Sequence, residues 1–200
     1  MMRNLPRYEK STLPIHLGKL LRNRFFRLRR YTKFKLGRLR DTSAHQPGLP
    51  YQEILLSYLG SFLGIAALAY LTTGSGYPLI AAPFGATAVL VFAVPDSPLA
   101  QPRNVIGGNL IAAIVCVTLV QLFGSEPWVM ALAVATTIKL MQLTRTLHPP
   151  GGAIALLGVM SDADWDFVWT PILLGSIVMV LCTVIFHNLV ARRAYPKHWL

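Results

Sequence analysis

The residues best suited to chemistry lie in one short run, Arg145–Ala153, which reads RTLHPPGGA. Its two prolines and two glycines interrupt any helix that arrives from Trp128. Pro150 suits the first position of a new helix, because the N–H that proline lacks has no partner there. A break at bilayer depth leaves backbone groups that must be buried in protein or face a water-filled cavity. The run therefore predicts a polar centre inside a membrane domain; the alternative is a loop at the membrane surface.

The chemistry of such a centre suits an anion. Helices that start at Pro83 and Pro150 would offer unsatisfied backbone N–H groups and positive dipole ends. His148 would add positive potential and could change protonation near neutral pH. The candidate substrate-binding residues, which include two further cations and one amide in a span, are His148, Pro149, Pro150, Gly151, Gly152, Lys139, Arg145, Pro83, Gly85 and Asn109.

Three of these residues also have plainer interpretations. His148 could simply cap the break, and Arg145 could be an ordinary positive anchor at the cytoplasmic surface. Lys139 shares one helical face with Thr136 and Gln142, so at bilayer depth it should face the bundle interior or water. The alternative for Lys139 is a side chain that extends to a nearby interface.

Composition and charge distribution favour a membrane protein over a nucleic-acid-binding one. The chain has 200 residues, 54% of them apolar, and a formal net charge of +11. Thirteen of the nineteen Lys and Arg residues lie in the first forty positions, and three more follow the last apolar segment. This distribution predicts two cytoplasmic termini and no nucleic-acid partner. Cys116 and Cys182 lie in apolar segments without metal-ligand spacing, so we expect no metal and no cofactor.

The chain divides into three parts. Residues 1–50 are basic and acid-poor, which favours an amphipathic helix on the membrane surface; an organelle transit peptide is the alternative. Residues 51–192 form the transmembrane domain, and 193–200 form a short cytoplasmic tail. Clear spans are predicted at Ile54–Thr72, Val105–Phe123, Trp128–Leu147 and Val168–Val190, with interrupted apolar pieces at Pro78–Val94 and Gly151–Met160.

An internal repeat relates the two halves of this domain at an offset of 67 residues. Pro83–Leu90 then aligns with Pro150–Leu157, with five of eight positions identical, and Gly108 aligns with Gly175. The predicted fold class is therefore an all-α, polytopic transmembrane helix bundle of two repeats, each with a Pro/Gly-interrupted helix that is broken or re-entrant. Six crossings result if the interrupted pieces cross the membrane, and four if they re-enter. Corresponding interrupted segments of this kind point to a transporter's substrate site.

Three motifs together resemble the HPP family of integral membrane proteins. They are Pro83–Ala86 (PFGA), Pro95–Asn104 (PDSPLAQPRN) and His148–Ala153 (HPPGGA), and the similarity covers about residues 50–192. Family members in chloroplasts and cyanobacteria are linked to nitrite transport. The resemblance implies a transporter or channel for a small, nitrite-like inorganic anion here.

Three function classes remain open. An anion transporter or channel in the inner (plasma) membrane is the first; a non-transporting membrane scaffold or sensor is the second. An intramembrane enzyme is the third and is not expected, because HExxH, GxSxG and P-loop motifs are absent. The expected partners are the lipid bilayer and a small inorganic anion. The small size of the membrane domain also favours a homodimer.

Overall fold

The computed structural model describes residues 48–198, and these residues fold into helices without any β-strand. The predicted surface helix within 1–50 therefore lies, apart from residues 48–50, outside the described residues. The helices are α1 (Tyr51–Ser75), α2 (Pro83–Ala93), α3 (Pro102–Phe123), α4 (Pro127–Leu143), α5 (Pro150–Met160) and α6 (Trp165–Val190). The predicted all-helical fold is thus confirmed.

Within residues 48–198, three of the six helices are long and apolar enough to cross a bilayer. These are α1 with 25 residues, α3 with 22 and α6 with 26, whereas α2, α4 and α5 are shorter apolar helices. The outer face of α1 exposes large apolar side chains, among them Tyr58 and Phe62. Such a face suits contact with lipid, so the chain is a membrane-embedded protein.

Proline and glycine lie at half of the twelve helix boundaries within residues 48–198. The helices α2, α3, α4 and α5 each begin with proline, which needs no N–H partner in the first turn. After α1 and α3 the chain turns at Gly76 and Gly124, both at a φ of 75°, where a side chain would be strained. These boundaries are therefore specified by local signals in the sequence.

The helices alternate in direction along the chain. At one end of the bundle, the Arg193 guanidinium after α6 donates to the Glu53 carboxylate in the first turn of α1. At the opposite end, the Ser125 hydroxyl between α3 and α4 donates to Asp162 between α5 and α6 over 2.5 Å. If successive helices run in opposite directions, the start of α1 and the end of α6 lie at one end, and the α3–α4 and α5–α6 connections lie at the other. The two contacts join these same pairs.

Charge differs sharply between the two ends. We call one the basic end; it carries Arg103, Arg145, Arg192, Arg193 and Lys197, with Glu53 and Asp96. We call the other the acidic end; it carries Glu126, Asp162, Asp164 and Asp166. Within residues 48–198, no lysine or arginine lies at the acidic end. This separation of charge is the pattern expected of a protein with a defined orientation in a membrane.

Several predicted helix boundaries were off by three or more residues. Helix α1 extends three residues beyond each end of the span expected at Ile54–Thr72, and α3 begins three residues before Val105. The span expected at Trp128–Leu147 ends at Leu143, because the chain leaves the helix at Thr144 and enters the His-Pro-Pro run. The last helix begins at Trp165, three residues earlier than expected, and is irregular at Thr170, whose φ of −132° and ψ of 122° are not helical.

The contact between α5 and α3 provides a test of this packing. An added Cβ at Gly158 would lie 2.2 Å from the Cys116 Sγ atom, whereas one at Gly152 would meet nothing within 4 Å. Both substitutions by alanine gain helix propensity, so Gly152→Ala is a matched control on the same helix. We expect Gly158→Ala to lower the free energy of unfolding by about 1–3 kcal/mol through overpacking. Unfolding of both variants in detergent micelles measures this, and equal stabilities would contradict the packing.

Candidate functional site

The two short helices α2 and α5 begin inside the bundle rather than at its ends. The chain that leads into α2 packs against α6, where a Cβ at Gly175 would lie 2.5 Å from the Leu79 carbonyl oxygen. The chain that leads into α5 packs against α3, where a Cβ at Gly108 would lie 2.7 Å from the Thr146 carbonyl oxygen. Only glycine permits these approaches of backbone to helix, so both glycines are needed to admit non-helical chain to the interior.

The residues that follow these glycines meet at the centre of the bundle. The Asn109 amide nitrogen of α3 donates to the Ser176 hydroxyl oxygen of α6 over 3.0 Å, and both side chains are fully buried. Asn109 lies about 21 Å from Phe123 at the acidic end of α3, at 1.5 Å per helical residue. Ser176 lies about 21 Å from Val190 at the basic end of α6, so the contact is far from both ends of the bundle. We call this contact and the adjoining starts of α2 and α5 the central crossing.

The first turns of both short helices reach the central crossing. A Cβ at Gly175 would lie 2.7 Å from the ring of Phe84, the second residue of α2. A Cβ at Gly151, the second residue of α5, would lie 3.1 Å from the carbonyl oxygen of Gly108. The N-terminal ends of two helices therefore lie within one small volume, where their dipoles add positive potential.

His148 connects the start of α5 to two other parts of the chain. Its ring is fully buried, with Nδ1 2.9 Å from the Leu99 carbonyl oxygen and Nε2 3.0 Å from the Thr87 hydroxyl. Because a carbonyl oxygen only accepts, the neutral ring carries its proton on Nδ1 and accepts at Nε2 from Thr87. His148 thus links α5, α2 and the loop before α3.

The first backbone N–H groups of α2 and α5 are not free, contrary to the expectation from sequence. The N–H groups of Phe84 and Gly85 donate to Ala81 and Ala82 over 2.9 and 3.1 Å. In α5, the N–H groups of Gly151 and Gly152 donate in the same way to the carbonyl oxygens of His148 and Pro149, over 2.9 and 3.0 Å. Tight turns satisfy the donors, so the contribution of these helix ends is their dipole rather than open N–H groups.

Asn109 is only half satisfied. Its Oδ1 atom is buried and has no hydrogen-bond partner, whereas Nδ2 is paired with Ser176. The two ends of an amide are assigned from their partners, and exchanging them here would leave the nitrogen unpaired instead. In either orientation one end of a buried amide at the central crossing lacks a partner, which is costly in an apolar interior.

The candidate residues fall into two groups. Buried at the central crossing are Pro83, Asn109, His148, Pro150 and Gly151. At the same helix starts, but on more accessible positions, lie Gly85, Pro149 and Gly152. Gly85 lines a shallow groove of about 340 Å³ between α1 and α2, together with Tyr58 and Ser61.

Lys139 and Arg145 lie away from the central crossing. Lys139 is exposed on the outer face of α4, because Ala133, Thr137 and Met141 occupy the inward face. Lys139 therefore does not face the interior of a single chain, and its exposure agrees with the alternative of a side chain that extends to an interface. Arg145 is exposed at the basic end, with a φ of 56°.

Several polar residues of the interior were not singled out from sequence. Thr87 and Ser176 complete the central crossing, and Ser176 could have been found because it lies 67 residues from Asn109. His187 is buried, with Nε2 2.7 Å from the Val91 carbonyl oxygen, and nothing in its sequence context marked it. Across residues 48–198, no group of three His, Cys, Asp or Glu side chains could hold a metal ion.

The contact between His148 and Thr87 can be tested with a near-isosteric change. Thr87→Val removes the hydroxyl that the buried Nε2 atom needs, and we expect a loss of about 1–3 kcal/mol in the free energy of unfolding. Thr118→Val is the control, because the Thr118 hydroxyl bonds only to the Ile114 carbonyl oxygen of its own helix. Unfolding of both variants in detergent micelles measures the two changes in the free energy of unfolding. An equal change in Thr87→Val and Thr118→Val would contradict the role of Thr87.

Comparison with known proteins agrees with the three motifs. Residues 46–196 match the family model described as "HPP, transmembrane region". Two transmembrane proteins of Dictyostelium discoideum are each 39% identical, over 84% and 74% of this chain. The chain spans only 63% and 51% of the length of these relatives. No solved structure matches the chain significantly. The chain therefore belongs to the HPP family of transmembrane proteins.

Proposed function

We propose that this protein is a transporter or channel for a small, nitrite-like inorganic anion, and that the anion binds at the central crossing. The N-terminal ends of α2 and α5 lie there, and helix N-termini favour anions through their dipoles. Discontinuous helices whose ends meet near the middle of a membrane domain are a recurring construction of transporter binding sites.

The observation that carries the proposal is the unpartnered end of the Asn109 amide. A buried polar group without a partner needs a ligand, a water molecule or a compensating function to explain it. With Oδ1 turned toward Ser176, the amide nitrogen would be free to donate to a bound anion. The neighbouring positions Gly108, Pro150 and Gly151 carry no side chain or only a proline ring, and Met141 packs beside both glycines.

A duplication of the domain accounts for how two such helices came to meet. The starts of α2 and α5 are separated by the same 67 residues as Asn109 and Ser176, and so are the ends of α3 and α6. The Gly108–Thr146 and Gly175–Leu79 contacts correspond at this offset as well. Because the helices alternate in direction, the two halves would be inverted repeats.

Charge supports an orientation for the protein in the plasma (inner) membrane. The basic end would face the cytoplasm with both described termini, and the acidic end would face outward. The outer surfaces of α1 and α4 would contact lipid or, for the face that carries Lys139, a second copy of the chain.

His148 would act chiefly as the residue that holds the crossing together. Both of its ring nitrogens are engaged, so proton transfer through the ring would require it to leave Leu99 or Thr87. A non-transporting scaffold or sensor is the alternative function. It is favoured by one observation, the complete burial of Asn109, His148 and Ser176, which leaves the crossing closed in this conformation.

Anion uptake into proteoliposomes tests the proposal. Nitrite, nitrate, formate and chloride would be compared at two pH gradients, with wild-type protein and two amide variants. We expect saturable uptake, reduced at least about tenfold in Asn109→Leu, since a lost charge-assisted hydrogen bond is worth about 1.5–3 kcal/mol.

The matched control is Gln142→Leu, the same amide-to-leucine exchange on the exposed outer face of α4. This variant should keep wild-type uptake. Absence of uptake of all four anions by folded wild-type protein would reject the transport function. Unchanged uptake in Asn109→Leu would reject the central crossing as the site.

A further inference from the structure

The segment that follows α6 folds back along the basic end and packs on the loop that precedes α3. Tyr195 is 3% exposed, and its hydroxyl donates to the Ala100 carbonyl oxygen over 2.6 Å. The ring of Tyr195 lies 5.3 Å from that of His187, and its carbonyl oxygen accepts from the Asn188 amide over 2.5 Å. Tyr195 therefore fixes this segment both to α6 and to the loop.

Gln101 joins the same loop to the segment. Its Nε2 atom donates to the carbonyl oxygens of Pro95 and Ser97 over 2.9 and 3.0 Å, which closes the loop on itself. Its Oε1 atom accepts from the Lys197 backbone N–H over 2.9 Å. The side chain is 3% exposed, so these bonds are shielded from competing water.

The loop held in this way is the one that fixes His148. The Ala100 carbonyl accepts from Tyr195, and the preceding carbonyl, that of Leu99, accepts from His148 Nδ1 over 2.9 Å. Two adjacent carbonyl groups are thus held, one by the segment after α6 and one by the His-Pro-Pro run. Burial raises the pKa of the Tyr195 phenol, which keeps it a protonated donor.

Exposed ion pairs contribute less to this arrangement. Lys197 Nζ lies 2.8 Å from Asp96 Oδ1, and both side chains are well exposed to solvent. Exposed pairs of this kind are weak and are screened by salt. The buried bonds of Tyr195 and Gln101 therefore hold the loop to the segment more firmly than this exposed ion pair does.

We propose that residues 191–198 act as a strap on the loop before α3. Tyr195 of the strap and Gln101 of the loop are positioning residues that hold the Leu99 carbonyl where it fixes the proton of His148 on Nδ1. The significance of the strap for transport rests on the proposed function. Its effect on the His148 ring does not, because that effect follows from the hydrogen bonds alone.

The test reads the protonation pattern of the His148 ring directly. Full-length protein with ¹⁵N-labelled histidine rings is placed in lipid nanodiscs, and His148 is assigned from the signals that disappear in His148→Gln. Wild-type protein should give one tautomer, with the proton on Nδ1. In Tyr195→Phe, which keeps the ring and removes only the hydroxyl, we expect the two ring ¹⁵N signals to move toward each other as both tautomers become populated.

Two matched variants separate positioning from a general loss of stability. Tyr51→Phe makes the same change at an exposed tyrosine of the basic end, and Lys197→Ala removes only the exposed ion pair. Both should leave the His148 signals unchanged. Gln101→Met, which keeps the length of the side chain without its polar atoms, should reproduce the effect of Tyr195→Phe.

Unchanged His148 signals in both Tyr195→Phe and Gln101→Met would overturn the proposal. So would the failure of both to fold while Tyr51→Phe folds, since the strap would then be purely structural. Because no transport is measured, the strap and the anion site fail separately. If the His148 signals change in Tyr195→Phe and Gln101→Met but wild-type protein takes up no anion, the strap is supported and the transport function is rejected.

Discussion

The structure depends on one constraint: backbone that is not helical can lie inside a membrane domain only if its polar groups are satisfied within the protein. The buried parts of two stretches of chain, 76–82 and 144–149, have to meet this condition. Each stretch packs against a glycine of a long helix and then leads into a short helix. The first N–H groups of that short helix donate to carbonyl oxygens in a tight turn just before it. His148 completes the arrangement by giving each of its ring nitrogens one partner.

The same constraint explains why the central crossing is crowded yet polar. Close approach of backbone to Gly108 and Gly175 leaves no room for larger side chains, so the polar atoms there belong to a few residues. Asn109 and Ser176 satisfy each other only in part. A fold that needed Asn109 for packing alone would gain by replacing it with an apolar residue, because an unpaired buried amide is costly. This imbalance links the architecture to the proposed binding of an anion.

Local signals in the sequence predicted much of the fold. Proline at the start and glycine after the end of helices act within a few residues, so the apolar segments and the interrupted pieces near Pro83 and Pro150 could be located. The HPP family was recognised from the three motifs and is confirmed. The prediction that Lys139 faces the interior was wrong. A helix of 17 residues with apolar residues on all sides does not indicate from sequence which face points inward.

Other features depend on contacts between distant parts of the chain and left no local pattern. The partners of His148 are 49 and 61 residues away, and Tyr195 reaches a loop 95 residues away. The sequence therefore marked His148 as unusual, but it did not indicate that the ring is held on both sides. For the same reason, the N–H groups at the helix starts were expected to be open and are in fact paired.

The most direct test of this account is the distance between His148 Nδ1 and the Leu99 carbonyl carbon, measured by solid-state NMR on selectively labelled protein in lipid bilayers. A hydrogen bond of 2.9 Å between nitrogen and oxygen places the two nuclei about 4 Å apart. A distance of about 4 Å would support a His-Pro-Pro break that is held from within the bundle. A distance beyond about 6 Å would contradict it, because no direct hydrogen bond could then join the two groups.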